Sequence, residues 1–580
     1  MKRNIYSVLA ILLLFSSTGC KKYLNINSDP ANPQQLSNSS VFPAMISRLA
    51  NNFNPGDVGS VNGIQQTGLF IGKYVQFWCS SNASGDVWDQ MGNSPGAQAS
   101  PSNRYGGEIW TTAYQGLGKN LDYIIQNGQN AAQFDYVGAA YALKAYTFMM
   151  CTDTYGDIIF SALKNQGATT LPYDPQQSVI HGIDSLCRIA LSYMDKAIAA
   201  GNANMTSSDA VYNGSMIQWK KFTYGILAEL YNHLSDKSLY AANDYADSVI
   251  KYCDLSFSSG SDDFLVPFTG TIVANSNAYG PLSFKMAGQA YATSTGTSSY
   301  GSYICKQSQY IVSLLDGTIL AGGVSANTID PRIAHMLSRS ADLNTPNGGF
   351  RGLTPTAGDP NGTTSRASVP LIWGDSVYVA ATTLKGKYLF KNNAVCPVMT
   401  YCELQFVKAE AAFLKGDVAT AYSAYIAGIQ GHFNFINRSA FPGGNAVLYN
   451  GSPITQAQIS NYLAGSSVKQ EASDLTLSDI MMQKYIALWG WGMQETWVDM
   501  RKYHYNTNPA ITSSPFTYAS PEVYKNFRVP SVIFSENNGA LVYKMRPNYF
   551  SEMYNPYYVA LAPNLSMTWP TTQCWFSVIE

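Results

Sequence analysis

Charge is scarce in this chain of 580 residues: Asp, Glu, Lys and Arg make up 13 % of it, and 36 basic against 37 acidic residues leave a formal net charge of −1. No block of Lys or Arg appears, so the electrostatic footprint that grips the phosphates of DNA or RNA is missing, and nucleic acid drops out as a partner. Histidine is scarcer still. The five, His181, His233, His335, His432 and His504, contain no pair spaced four apart and no His-Glu-x-x-His, which leaves zinc chemistry without support. Cys-x-x-Cys is absent too, and the cysteines lie scattered through a chain long enough to build its own core, unlike the dense frameworks of small exported domains. Cys151 and Cys187 fall in apolar helical patterns and read as buried thiols, whereas Cys396 and Cys402 are placed to pair across a turn at Pro397.

Long apolar runs are lacking as well. The longest, Ile5 to Phe15, follows Lys2 and Arg3 and falls short of the roughly 20 residues that cross a bilayer, so residues 1–19 read as a signal peptide. Small residues, Ser16-Ser17-Thr18-Gly19, lead to Cys20, the arrangement cleaved by a lipoprotein signal peptidase, after which the Cys20 thiol carries diacylglycerol. Ser17 stands where an apolar residue is usual, and ordinary secretion with cleavage near Ser17 or Gly19 is the alternative. Two or three acyl chains, at about 0.8 kcal/mol per buried methylene, would hold the protein on a membrane durably.

What the chain has in abundance is rings: 40 Tyr, 10 Trp and 25 Phe, set among Asn, Ser, Gly and Gln. Such rings pack between helices, or stand exposed to stack on a sugar face while a hydroxyl donates a hydrogen bond. Residues 20–43 are polar and turn-rich and read as a tether to a single body, 44–580. Apolar residues at Phe134, Val137, Tyr141, Ala145 and Phe148 share a helix face, with Gly138, Ala139 and Ala142 small enough for a close neighbour. Ile183, Leu186, Ala190, Met194 and Ala197 repeat the spacing, and Gly201 with Asn202 supplies the stop.

Ala409-Glu410-Ala411, then Gly416-Asp417, then Ala421-Tyr422 and Ile426 spell a tetratricopeptide-like hairpin, in which small residues let two helices touch and Gly-Asp turns the chain. Trp219 and Phe222 to Leu230, a turn near Asp236, and Tyr245 to Ile250 form a second such unit, with 134–199 as a divergent third. The predicted fold class is therefore mainly α: a helical-hairpin scaffold over about 110–255 and 400–505, carrying a loop-rich insert at about 256–400 with Phe264, Tyr279, Tyr291, Tyr300, Phe350 and Trp373. An irregular span of this length usually binds something. A shorter one, from Gln76 to Trp110, has the same character.

The remaining motif-like strings take bland readings. Gly116-Leu117-Gly118 begins a dinucleotide fingerprint but has Leu121 at the third glycine position, and reads as a turn. Asp342, Asn344 and Gly348 faintly suggest a calcium loop, spoiled by Pro346, and read as a loop held by Asn side chains. Glu495, Trp497, Asp499 and Arg501 read as an ion-paired helix surface. Glycosidase carboxylates stay open, because two Asp or Glu from distant positions would suffice.

Four stretches together resemble the SusD/RagB family of Bacteroidota surface lipoproteins: Cys20-Lys21-Lys22-Tyr23-Leu24-Asn25-Ile26-Asn27; Thr152-Asp153-Thr154-Tyr155-Gly156-Asp157-Ile158; the hairpin around Ala409-Glu410-Ala411 and Gly416-Asp417; and Gln483-Lys484-Tyr485-Ile486-Ala487-Leu488 followed by Glu495, Trp497, Asp499 and Arg501. The resemblance implies a SusD-like body on the outer membrane, probed by no cofactor or catalytic residue, that captures an oligosaccharide or, in the RagB branch, a peptide, and closes it into a SusC-type TonB-dependent barrel. Lys21 and Lys22 stand where surface-exported members often carry acidic residues, so cell-surface exposure rests on the resemblance alone.

Ligand residues vary within such a family and are chosen here by chemistry. A glycan needs a flat aromatic platform with amides and carboxylates around it. Trp78, Trp88 and Tyr105 are the predicted platform, with Asn82, Asp86, Asp89, Asn103 and Arg104 as polar partners, and Tyr300, Arg351 and Trp373 approaching from the second loop region. A secreted hydrolase is the alternative of another class.

Overall fold

The computed structural model describes residues 36–50, 68–80, 89, 91, 108–165, 167–272, 275–280, 305–362, 365–373, 386–444, 447–530, 533–547, 552, 554–561 and 569–580. The first helix, α1 (Asn38–Ala50), begins inside the span read as tether and contains Pro43. Phe42 is fully buried, its ring 5.6 Å from Tyr136 and 5.9 Å from Trp219. Burial of such a side chain contributes about 1.5–3 kcal/mol, so this helix belongs to the core, and 38–43 are part of the body.

The longer helices that follow are α2 (Lys119–Asn130), α3 (Phe134–Tyr155), α4 (Gln176–Ala200), α5 (Met216–Asn232) and α6 (Tyr245–Leu255). Gly116 to Gly118 form no turn; they close a π-helical segment, Thr112–Gly118, that runs straight into α2. A Cβ on Gly118 would stand 2.4 Å from the Ala113 carbonyl oxygen, so the wide winding needs glycine there. The small residues of α3 meet α4 as their sizes foretell: a Cβ on Gly138 would lie 2.7 Å from Met194 Cγ and 3.3 Å from the Ala190 carbonyl. Helix α4 stops at Gly201, which takes the left-handed conformation, and Asn202 Oδ1 then accepts the Phe134 amide at 2.9 Å, tying the end of α4 to the start of α3.

The middle of the chain is irregular, with two small antiparallel ladders. Strand β1 (Trp78–Ser80) pairs with β3 (Cys305–Gln307), and β2 (Phe264–Val266) pairs with β4 (Cys396–Met399). A short helix, α7 (Gln309–Leu315), follows β3 and is capped by Ser308. Pro397 sits in β4, not in a turn, and Cys396 and Cys402 are both free thiols, as are Cys151, Cys187, Cys253 and Cys574. The two thiols thus form no cross-turn disulfide: an extended strand carries Cys396 away from the helix that begins beside Cys402.

Thr400 starts that helix with a reciprocal cap, accepting the Glu403 amide while Glu403 accepts its own. Helix α8 (Tyr401–Lys415) and helix α9 (Val418–Asn437) are joined by Gly416, left-handed at φ 86°, and Asp417, whose carboxylate accepts the Thr420 amide at 3.1 Å. Helices α10 (Leu477–Leu488) and α11 (Met493–Lys502) complete the scaffold. One continuous apolar core runs through the helices and the strands. No described helix is long and apolar enough to cross a membrane.

Many of the tyrosines pack here, ring inward and hydroxyl on an irregular carbonyl. Tyr146 donates to Val398 O at 3.1 Å, Tyr485 to Gln76 O at 2.8 Å, Tyr505 to Val542 O at 2.6 Å and Tyr212 to Asp262 O at 2.8 Å. Each one ties together segments that lie far apart in the sequence.

Candidate functional site

The predicted ligand residues divide sharply by position. Trp78 is 0 % exposed, with its indole N–H on the Gly68 carbonyl at 2.9 Å, and Trp373 is 2 % exposed, with its N–H on the Tyr279 carbonyl at 2.8 Å. Neither offers a face to a sugar: both indoles are buried, Phe390 packs edge-on to Trp78, and their polar edges are satisfied inside. Asp89 is buried too; its carboxylate accepts the Phe534 amide at 2.7 Å and an Asn537 side-chain N–H, holding loop 534–537 in place. Arg351 keeps an accessible edge, with its side chain 26 % exposed and its guanidinium on Asp342 at 2.7 Å and on Ser340 at 3.2 Å. Trp88, Tyr105, Asn82, Asp86, Asn103, Arg104 and Tyr300 lie outside the described residues, as does Cys20.

What the structure does describe is the root of those segments. Ser80, where the chain enters 81–88, pairs with Cys305, where it returns from 281–304, and the neighbouring Lys306 bridges to Leu371, three residues before 374–385 begins. Three ring-bearing segments thus leave or re-enter at one junction. Buried polar side chains brace it: Lys306 pairs with Asp359 at 2.6 Å, Asp359 also accepts the Val369 amide at 2.9 Å, and the Gln307 amide bonds Ser338 at both ends and reaches the Arg351 carbonyl at 2.7 Å. Ser308 donates to the Gln76 carbonyl, pinning β3 to the residues before β1.

The calcium-like string is an Asn-braced loop. Asp342 accepts the Asn344 amide at 3.0 Å and pairs with Arg351, while Asn347 bonds Asp316, Thr345 and both the amide and the carbonyl of Phe350. A string matching the serine-hydrolase elbow, Gly92-Asn93-Ser94-Pro95-Gly96, lies outside the described residues.

The charges of α11 are not a helix surface; they are buried. Lys484 of α10 lies 2.8 Å from Glu495 Oε1, 2.8 Å from Asp499 Oδ2 in an ion contact without hydrogen-bond aim, and 3.8 Å from Glu410 Oε2. Lys502 meets Glu410 Oε1 at 2.5 Å, and Asn232 donates to Glu410 Oε2 at 2.8 Å. His233 sits between Glu495 at 2.8 Å and Asp153 at 3.4 Å. Arg501 stacks on Trp497, 3.8 Å from its centroid, and donates to the Asp153 and Tyr543 carbonyls at 2.6 and 2.8 Å. Three of the four sequence stretches that carry the family resemblance, around Asp153, Glu410 and Lys484 to Arg501, therefore meet in one network.

Its electrostatics follow from burial against pairing. Burial lowers His233, but Glu495 and Asp153 outweigh it and lift the imidazole to about 10, so it is charged at neutral pH. Burial raises Glu410, yet Lys502 and Lys484 hold it below the usual range. Glu229 and Glu403 make no ion pair among the described residues: burial, together with neighbouring carboxylates that include Glu495, outweighs the pull of Lys484 and pushes both well above the usual range. These two, with Asp153, Glu495 and Tyr146, line a cavity of about 40 Å³. That holds a few waters, whereas ligand pockets run to roughly 300–1,000 Å³, so these clustered carboxylates are not placed to act on a saccharide.

The same helical architecture recurs in solved structures. A chitin-binding protein superimposes with a TM-score of 0.63 at 18 % identity, covering 93 % of this chain and 100 % of its own. A SusD/RagB family protein from Bacteroides thetaiotaomicron does so at 0.59 and 19 %, covering 94 % and 100 %, and a chitin-binding SusD homologue from Flavobacterium johnsoniae at 0.56 and 17 %, covering 94 % and 99 %. These likenesses establish a SusD-like fold. The family SusD-like_2, described as "Starch-binding associating with outer membrane", matches residues 34–519, and the chain belongs to that family. No curated protein matches it.

Proposed function

We propose that this chain is a non-catalytic, lipid-anchored protein of the outer membrane that captures an oligosaccharide and delivers it to a SusC-type TonB-dependent barrel. The observation that carries the binding role is the junction at β1 and β3, where the chain enters the segment that bears Trp88 and returns from the one that bears Tyr300. A helical scaffold that holds several loops at one point is how binding surfaces are usually displayed. The family's description as starch-binding and associated with the outer membrane, and the printed chitin-binding role of two structural neighbours, favour a saccharide over a peptide. Anchoring at Cys20 and docking on a barrel follow from the sequence and the family.

Calorimetry with maltotetraose, chitotetraose and short peptides tests the binding role. A saccharide should bind, and Trp88→Ala with Tyr105→Ala should weaken it at least tenfold, since base or sugar stacking on one ring contributes about 1–3 kcal/mol. Binding of peptides alone would refute the glycan reading. Pull-down of the lipidated protein from detergent-solubilised outer membrane should bring a large barrel with it.

A further inference from the structure

In a chain so poor in charge, the loop-rich span gathers four basic groups that have no counter-ion among the described residues. Lys387 donates to the Leu337 carbonyl. Lys391, four residues on, donates to the Val447 carbonyl at 2.5 Å and approaches that of Tyr449 at 3.4 Å. Arg339, two residues beyond Leu337, is exposed, its guanidinium 4.9 Å above the Phe350 ring. His335 is 8 % exposed and accepts the Asn450 amide on Nδ1 at 3.1 Å, which puts the neutral ring's proton on Nε2 as a donor.

The acids of the same span are taken elsewhere: Asp330 by Arg332, Asp342 by Arg351, Asp359 by Lys306, and Asp316 by Asn347. Among the described residues, no carboxylate lies within ion-pair distance of Lys387, Lys391 or Arg339.

The basic groups sit close enough to feel one another. Burial, then Arg339 and Lys391, push the Lys387 ammonium down to about 8; burial, then Lys387 and Lys391, lower His335. If their only task were to clamp the Leu337, Val447 and Tyr449 carbonyls, neutral donors would serve without mutual repulsion and at less desolvation cost. Two half-buried ammonium groups, an exposed guanidinium and an imidazole N–H with spare donor capacity are instead suited to an oxyanion, which relieves the repulsion and accepts charge-assisted hydrogen bonds.

We propose that Lys387, Lys391, Arg339 and His335 form an anion site that takes the carboxylate or sulfate group of an acidic saccharide, so that the cargo is a charged glycan. This rests on the saccharide-binding reading above. The test is calorimetry on the full mature chain with trigalacturonate, a sulfated galactan tetrasaccharide, neutral maltotetraose and chitotetraose, and triglutamate.

At least one acidic saccharide should bind tighter than both neutral ones, with an affinity that falls steeply with salt. Lys391→Gln and Arg339→Gln should each weaken it about tenfold and leave any binding of neutral saccharides unchanged. Arg339 anchors no carbonyl among its described contacts, so its variant separates loss of binding from loss of fold, and thermal unfolding of each variant checks the same point. Which acidic probe responds tells carboxylate from sulfate.

Neutral saccharides bound as well as acidic ones, or variants that bind the acidic probe as the parent does, would overturn the anion site while leaving the saccharide-binding reading intact. Binding of triglutamate without any saccharide would overturn both, as would binding of none of the probes.

Discussion

The helical scaffold and the loop-rich span solve the same problem, the burial of backbone polar groups, in opposite ways. Helices satisfy their own amides and carbonyls, so scaffold side chains are released for packing and for long-range pairing; the network of Glu410, Lys484, Glu495 and Lys502 is built almost wholly of side chains meeting side chains. Between β2 and β4 the backbone has few ladders, and the side chains stand in for them: Asn277 holds the Leu389 carbonyl, Gln307 holds Ser338 and Arg351, and Asn347 holds Phe350. The Asn, Ser and Gly richness of the span is thus structural chemistry, and composition there does not by itself mark a binding surface.

If that contrast is right, the largest loss should come from the scaffold's central cation. Lys484→Met leaves Glu495, Asp499 and Glu410 facing one another with one ammonium fewer, and breaking a buried pair in this way costs roughly 3–5 kcal/mol. Equilibrium unfolding in guanidinium chloride measures it. A loss under about 1 kcal/mol would mean that the network is not buried as described.

The pH response comes next. Glu229 and Glu403 carry folded pKa values raised well above the usual carboxyl range, by burial and by carboxylates that include Glu495. Their contribution to stability is fully present below the unfolded value and is lost as pH rises through the folded one. Glu229→Gln removes one of these ionisations, so its midpoint should fall less steeply than that of the parent on the alkaline side. Parallel slopes for parent and variant would show that the pair does not govern this limb. Glu410 and Glu495, both held low against burial by Lys484 and their other cationic partners, act in the opposite sense and are lost as pH falls.

A smaller effect is expected in the loop-rich span. Asn347→Ala removes four hydrogen bonds of a partly exposed loop, at about 1–2 kcal/mol after water replaces some of them, with little spread to the helices. Amide exchange should accelerate around 342–351 and stay unchanged in α8 and α9. Exchange that accelerates in both would erase the distinction between the two regions.

The same contrast explains what could be read in advance. Helix α3 against α4, the stop at Gly201 and the turn at Gly416-Asp417 are legible because local spacing and backbone chemistry dictate them. Helix α1 escaped detection because Asn38, Ser39 and Ser40 extend a polar lead-in and Pro43 reads as a breaker. Trp78 and Trp373 failed as platform residues because an indole in an irregular stretch has no periodicity to say which way it faces. Glu495, Asp499 and Arg501 were misplaced for a different reason: charges on one helix default to solvent, and only partners from other segments, Lys484, Glu410 and Asp153, make their burial stable. The sole clue was that those partners fall in the stretches that carry the family resemblance.

The smallest effect sharpens the comparison most. Lys415 of α8 pairs with Asp247 of α6, the same chemistry as Lys484 with Glu495, but with side chains 42 % and 55 % exposed. Water and salt screen this pair, and holding two long side chains in one geometry offsets most of what attraction remains. Lys415→Ala should therefore leave the unfolding midpoint unchanged within error, and added salt should not separate variant from parent. Since Lys484→Met and Lys415→Ala remove the same ammonium from neighbouring parts of one scaffold, a comparable loss from both would show that burial is not what sets the value of these pairs.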